Sequence, residues 1–185
     1  TLSASEGREW VQAFEDLPKQ VHAMLVCQEQ VQALAEQYCD SRYTMFVGRG
    51  INCPVAREGA LKLKEIAYIP SDGLSGAEMK HGSLALIEKG TPVWVMVPPD
   101  DTRDRMVGNL QELKARGASI LAIADVNDEQ VRKLSDAVVP LPVHHPAFSP
   151  FLSVIPLQLY AFYCALALGV DIDKPRNLAK SVTVE

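Results

Sequence analysis

An α/β protein with a doubly wound parallel sheet flanked by helices is the fold class that the sequence predicts, and three observations predict it. Short continuous apolar runs, such as TPVWVMVP (91–98) and SILAIAD (119–125), have the length and composition of strands buried on both faces. Stretches with helical spacing of apolar residues separate these runs. The connections are of ordinary length, so the pattern is strand–helix repeated, which implies a parallel sheet with helices on both sides.

The elements follow in order. Residues 7–39 read as an N-terminal helical segment that Pro18 divides, with a long amphipathic run from Lys19 to Cys39 carrying Val21, Met24, Leu25, Val31, Leu34 and Ala35. YTMFVG (43–48) is the first strand, and Gly48-Arg49-Gly50 a turn. Pro54 suits the first turn of a helix running to about Tyr68. IPSDGLSG (69–76) reads as a loop, and AEMKHGSLALI as helical in its first part. Strands are expected at 91–98, 119–125 and 136–142, and helices at 102–116, stopped by Gly117, and at 128–135. HHPAFSP (144–150) is a loop before a long final helix and a tail at 171–185.

That last helix lies in FLSVIPLQLYAFYCALALGV (151–170), which carries no charge and is long enough to span a bilayer. It is interrupted by Ser153, Pro156 and Gln158 and stands alone, so a buried helix of an α/β protein is the preferred reading. The 185 residues fit a single domain, 1–185, and 48% hydrophobic with 22% charged residues is an ordinary globular balance. A net charge of -5 argues against a general nucleic-acid or membrane-surface binder, though not against a local cationic pocket. Cys27, Cys39, Cys53 and Cys164 form no CxxC pair, so a reduced, cytoplasmic chain is expected, with the cysteines as small apolar fillers. The start at Thr1, without methionine, suggests a fragment of a longer protein or a processed chain.

Two clusters carry candidate chemistry. Glu58, Lys62 and Glu65 are spaced i, i+4, i+7 and share one helix face. Either they are a solvated stripe with an ordinary ion pair, or, on the helix after strand one where open α/β sheets place ligands, a functional face. In EMKHGS (78–83), His81 is of the residue type that most often moves protons in catalysis and stands beside Gly82; a partly exposed loop histidine is the plainer alternative. His22 reads as a surface residue. His144 and His145 adjoin proline, and the sequence identifies no partners that would complete a metal site. Neither a Walker motif nor GxGxxG is present, while SDGLSG (71–76) is either an anion-contacting loop or a connector. Lys180, in the closing LAKSVTVE, is either a surface charge or an amine placed in a site.

FVGRG, PVAREGALKLKEIAYI, GAEMKHGSLALI and DIDKPRNLAKSVTVE occur in this order. They resemble the sugar-isomerase (SIS) domain family, and in particular the second SIS half of the glutamine–fructose-6-phosphate aminotransferases, the glucosamine-6-phosphate synthases. The likeness is dense at 43–87 and 156–185. It implies a flavodoxin-like or Rossmann-like three-layer sandwich and conversion of fructose 6-phosphate and glutamine-derived ammonia to glucosamine 6-phosphate, with no metal and no organic cofactor. In this resemblance Lys180 matches the lysine that forms a Schiff base with the sugar C2 carbonyl. Glu65 matches the base that moves the proton between C1 and C2, and Lys62 the lysine that assists at the C1 and C2 oxygens. His81 matches the ring-opening histidine, supplied across a homodimer interface; Glu58 and Ala179 fall at substrate-binding positions.

The resemblance implies sugar phosphate as partner, with no nucleic acid and no membrane. A first SIS half and a glutaminase domain are not in this sequence, so the segment alone is expected to be inactive. Ser83 stands where the family commonly has Pro, Ala77 where it commonly has Gly, and PSDGLSG (70–76) where it tends to an Ala/Glu-rich stretch. Other SIS enzymes, namely sugar-phosphate isomerases or amino-sugar-phosphate deaminases, and a non-catalytic sugar-phosphate-binding module remain as alternatives.

Overall fold

The computed structural model describes residues 2–142 and 145–178. Five parallel strands form one sheet: β1 (Thr44–Gly48), β2 (Ser71–Ser75), β3 (Pro92–Val97), β4 (Ser119–Ala124) and β5 (Ala137–Pro140), in the order β2-β1-β3-β4-β5. Among the described residues six helices surround it: α1 (Ala4–Leu25), α2 (Gln28–Tyr38), α3 (Cys53–Ala67), α4 (Arg103–Lys114), α5 (Glu129–Leu134) and α6 (Ser149–Ala167).

The two-residue period of the strands sorts the core into two layers. Phe46, Trp94, Met96, Leu121 and Ile123 point to the side of α2, α3 and α6. Met45, Val47, Val93, Val95, Ile120 and Ala122 point to the side of α4 and Val131 of α5. Because both faces are covered, β1 and β3 are buried at every position, which is why they read as continuous apolar runs rather than alternating ones. By length and composition α6 could cross a membrane. Here Leu152, Leu157, Tyr160, Ala161 and Cys164 fill the first layer, with Tyr160 edge-on to Trp94 at 5.1 Å between ring centroids. Cys27 and Cys164 are buried and Cys39 and Cys53 half-buried, all four as free thiols; burial pushes the Cys164 thiol up to about 12.

Four expectations are corrected. The first helix starts at Ala4, not residue 7, because Ser3 and Glu6 form a reciprocal capping box. Pro18 lies inside α1, and the break falls at Val26 and Cys27. There the Val26 and Cys27 N–H groups turn to the carbonyls of Ala23 and Met24, three residues back. This lets Met24, Cys27, Val31 and Leu34 all face the core. Residues 77–87 form two 3₁₀ turns, Met79–His81 and Ser83–Leu86, instead of a helix. Gly82 between them has φ 130, a conformation open only to glycine, and it ends the first turn.

The fourth concerns SDGLSG, which is not a loop. Ser71–Ser75 pairs with β1 as the edge strand β2. Its apolar content is too low to signal a strand; the pairing is secured by contact with α3 instead. A side chain at Gly73 would collide with the Ala56 carbonyl oxygen, and the Ser71 hydroxyl donates to the Ala60 carbonyl at 2.9 Å. Its backbone is committed to the sheet, and the Gly76 N–H just beyond it donates to Gly48 O at 2.9 Å.

Candidate active site

The face of α3 predicted to be functional is assembled as an ionic group. Lys62 Nζ donates to Glu65 Oε2 at 2.6 Å and stands 3.8 Å from Glu58 Oε1. Helical spacing alone brings the three together, while Val55, Ala56, Ala60, Leu63 and Ala67 hold the opposite face of α3 in the core. The Lys62 and Glu65 side chains keep 33% and 29% of their exposure, so the pair is accessible to a ligand. Acceptance by Glu65, with the charges of Glu65 and Glu58, raises the Lys62 ammonium above its ordinary value, against an opposing effect of partial burial. Lys62 is therefore a fixed cation.

Its position differs from the one argued from strand order. Ligands in open α/β sheets bind beyond the carboxyl ends of the strands. α3 begins there at Cys53 but runs back antiparallel to the strands. At ~1.5 Å per residue, Glu65 is carried about 18 Å toward the opposite edge of the sheet. Lys62 instead borders an apolar groove of about 460 Å³ formed with Ile66, Val21 and Leu25 of α1, and Ile155, Leu159 and Phe162 of α6. The cleft at the carboxyl ends of β3 and β4 is lined by Arg103, Asp125, Asp128 and Glu129. Its arginine is already engaged, with Nε and Nη2 donating to the two Asp128 oxygens at 2.6 and 2.8 Å.

His81 is exposed at the end of the first 3₁₀ turn. The structure does not bring it to the α3 group. Met79, two residues earlier, is buried in the layer beneath α4, and the neighbouring Lys80 pairs with Glu112 of α4 at 2.8 Å. The buried face of α3 belongs to the other layer. Ser83 and Ala77 flank this turn, with the Ala77 N–H donating to Ser75 Oγ at 3.3 Å. His145 packs on Trp10 at 4.4 Å and accepts from the Ala147 N–H, so it serves a local cap. Lys180, Ala179 and His144 lie outside the described residues.

Sequence reasoning missed Tyr68, the residue that closes α3. Its hydroxyl accepts a hydrogen bond from the Arg176 N–H at 2.8 Å, and the Arg176 guanidinium lies 4.2 Å from its ring centroid. The signal was weak, because nothing in the spacing of Tyr68 and Arg176 marks them as neighbours.

The SIS domain family model matches residues 38–168, the whole sheet with α3 to α6 and only the last residue of α2. The chain belongs to the SIS domain family. This SIS domain is 47% identical over its full length to glutamine–fructose-6-phosphate aminotransferase [isomerizing] of Leifsonia xyli, and 42% identical to that of Aquifex aeolicus. In each case it covers 31% of the relative's length, so it spans about a third of these proteins. Among solved structures, the C-terminal domain of glucosamine-fructose-6-phosphate aminotransferase from Francisella tularensis superposes with a TM-score of 0.86 at 33% identity. That match covers 94% of this SIS domain and 49% of the Francisella chain.

Proposed function

We propose that this SIS domain is the carboxyl-terminal isomerase half of a glutamine–fructose-6-phosphate aminotransferase and contributes Lys180, Glu65 and Lys62 to its sugar site. The full-length 47% identity to such an enzyme carries the reading, and the accessible Lys62–Glu65 pair supports it. In the proposed reaction the Lys180 amine, in its neutral form, attacks C2 of open-chain fructose 6-phosphate. An imine forms and the carbonyl oxygen leaves as water. For nitrogen to remain on C2 in the product, ammonia then displaces Lys180 from that carbon. Glu65 takes a proton from C1 and returns one to C2, while the C1 hydroxyl gives up its proton and the imine nitrogen gains one, which turns the ketose imine into the 2-amino aldose. Lys62, held charged beside Glu65, stabilises negative charge that develops on the sugar oxygen at C1 during this shift.

The turn bearing His81 packs with α4, in the layer opposite to that of α3, so its role in ring opening is assigned to a second copy, and a homodimer is part of the proposal. The first SIS half and a glutaminase domain complete the enzyme, and the setting is the cytoplasm. The test is formation of glucosamine 6-phosphate from fructose 6-phosphate and ammonia by the intact polypeptide. The expected result is activity that Lys180→Arg abolishes and that the 185-residue segment alone lacks. Full activity of either the variant or the isolated segment contradicts the proposal.

A further inference from the structure

We infer that Tyr68 is a positioning residue for the reactive lysine: it latches the C-terminal segment onto the end of α3 that carries Glu65. This rests on the reading of Lys180 as the imine-forming residue. Tyr68 occupies the C-cap of α3 with φ 59 and ψ 21, the left-handed conformation that glycine normally supplies at this position. A bulky aromatic residue there is an outlier that ordinary helix termination does not require. Its side chain makes contact through both its hydroxyl and its ring. The hydroxyl accepts from the Arg176 N–H, and the ring face receives the Arg176 guanidinium, within the range of a cation–π contact. Among the described residues, the only two non-glycine positions with positive φ are Tyr68 and Asn177. One is a partner in this contact and the other is the next residue after its second partner.

The approach to the contact is defined as well. Val170 and Ile172 pack against the core beside α6. The Asp171 carboxylate accepts the N–H groups of Asp173 and Lys174 at 3.0 and 3.1 Å, which turns the chain toward α3. Chain length then sets the reach. Lys180 follows Arg176 by four residues, so at ~3.3–3.6 Å per residue its backbone stays within about 14 Å of the latch. Tyr68 is three residues beyond Glu65 and six beyond Lys62, about one and two helical turns. Among the described residues, Ile172 is the last that packs against the hydrophobic core apart from the latch, eight residues before Lys180. Doubling the free tether lowers the effective concentration of the amine about threefold by length alone.

The experiment uses the intact polypeptide with three variants. Tyr68→Phe removes the hydroxyl only, Tyr68→Gly removes the side chain and its left-handed strain together, and Arg176→Ala removes the other partner of the ring contact. Two quantities are measured: hydrogen exchange at the Arg176 amide, and the rate of borohydride trapping with labelled fructose 6-phosphate. The inference predicts lost amide protection in Tyr68→Phe. It predicts a three- to tenfold slower trapping rate in Tyr68→Gly and Arg176→Ala, with KM for fructose 6-phosphate unchanged and the Tyr68→Gly melting temperature within a few degrees of the parent. A merely structural role would lower the melting temperature and leave the trapping rate of the folded protein alone. Unchanged protection in Tyr68→Phe, or parental trapping rates in the other two variants, overturns the inference by itself. Failure of the parent protein to trap sugar overturns the imine reading and the inference with it.

Discussion

Two ion pairs of similar length sit on opposite sides of the sheet, and they differ in how much hydrogen-bonding capacity each leaves unused. Arg103 and Asp128 form a closed unit. Both Asp128 oxygens accept from the guanidinium, and one also caps α5 by accepting the N–H groups of Gln130 and Val131 at 3.2 and 3.1 Å. Most of the acceptor capacity of Asp128 is thereby spent within the protein, with Oδ1 accepting three hydrogen bonds and Oδ2 one, although the cleft lies where α/β sheets usually bind ligands. Lys62 and Glu65 are open. One carboxylate oxygen accepts one ammonium proton, and the second oxygen of Glu65 accepts no hydrogen bond from the described residues. The comparison teaches that charge beside a cavity says little about function. What distinguishes a reactive pair is hydrogen-bonding capacity left over for a substrate.

Substitutions on each side test this contrast, and the largest effect is expected at the open pair. Glu65→Gln should lower glucosamine 6-phosphate formation by a hundredfold or more, in line with loss of a general base. The melting temperature should barely change, because a half-exposed helical pair adds only a few tenths of a kcal/mol. Steady-state rates and thermal melts on one preparation check both halves. Asp128→Asn should do the reverse. It should cost about 2 kcal/mol in denaturant unfolding, through the lost charged hydrogen bonds and the weakened cap, with kcat near the parental value. A large loss of kcat there would erase the distinction between the two pairs.

The smallest effect is a pH dependence. Hydrogen bonds from Arg103, then from the Val131 and Gln130 N–H groups, hold the Asp128 carboxyl below its ordinary value of 3.8, against the effect of burial. A depressed folded-state value contributes stability that is fully present above 3.8 and is lost as the pH falls through the lower, folded-state value. Acid unfolding of Asp128→Asn should therefore be less steep below that pH than that of the parent. Superimposable acid limbs would show that the pair contributes nothing to this transition.

Much of the fold was legible because β1, β3 and β4 are buried on both faces and carry the apolar runs that such burial demands. β2 was not, because Ser71-Asp72-Gly73 is selected by contact with α3: a hydroxyl for Ala60 O and no side chain against Ala56. That selection is tertiary and leaves no periodic trace. The break between α1 and α2 was misplaced for a similar reason. Proline is the local signal, but Pro18 is accommodated within α1, and the turn at Val26 and Cys27 serves the packing of Met24 and Val31. At the site, helical spacing was enough to place Glu58, Lys62 and Glu65 together. Which edge of the sheet they approach was misjudged, because the rule for strand ends fixes where a helix begins and not where it carries its second half. The Tyr68–Arg176 contact joins residues 108 apart in sequence and could come only from the folded chain.

The central claim is that Lys180 is the residue joined to the sugar. It is tested most directly by reducing the intact polypeptide with borohydride in the presence of radiolabelled fructose 6-phosphate and mapping the labelled peptide. The account predicts one labelled lysine, Lys180, with no label in Lys180→Arg. Label on Lys62, or label that survives Lys180→Arg, would contradict it.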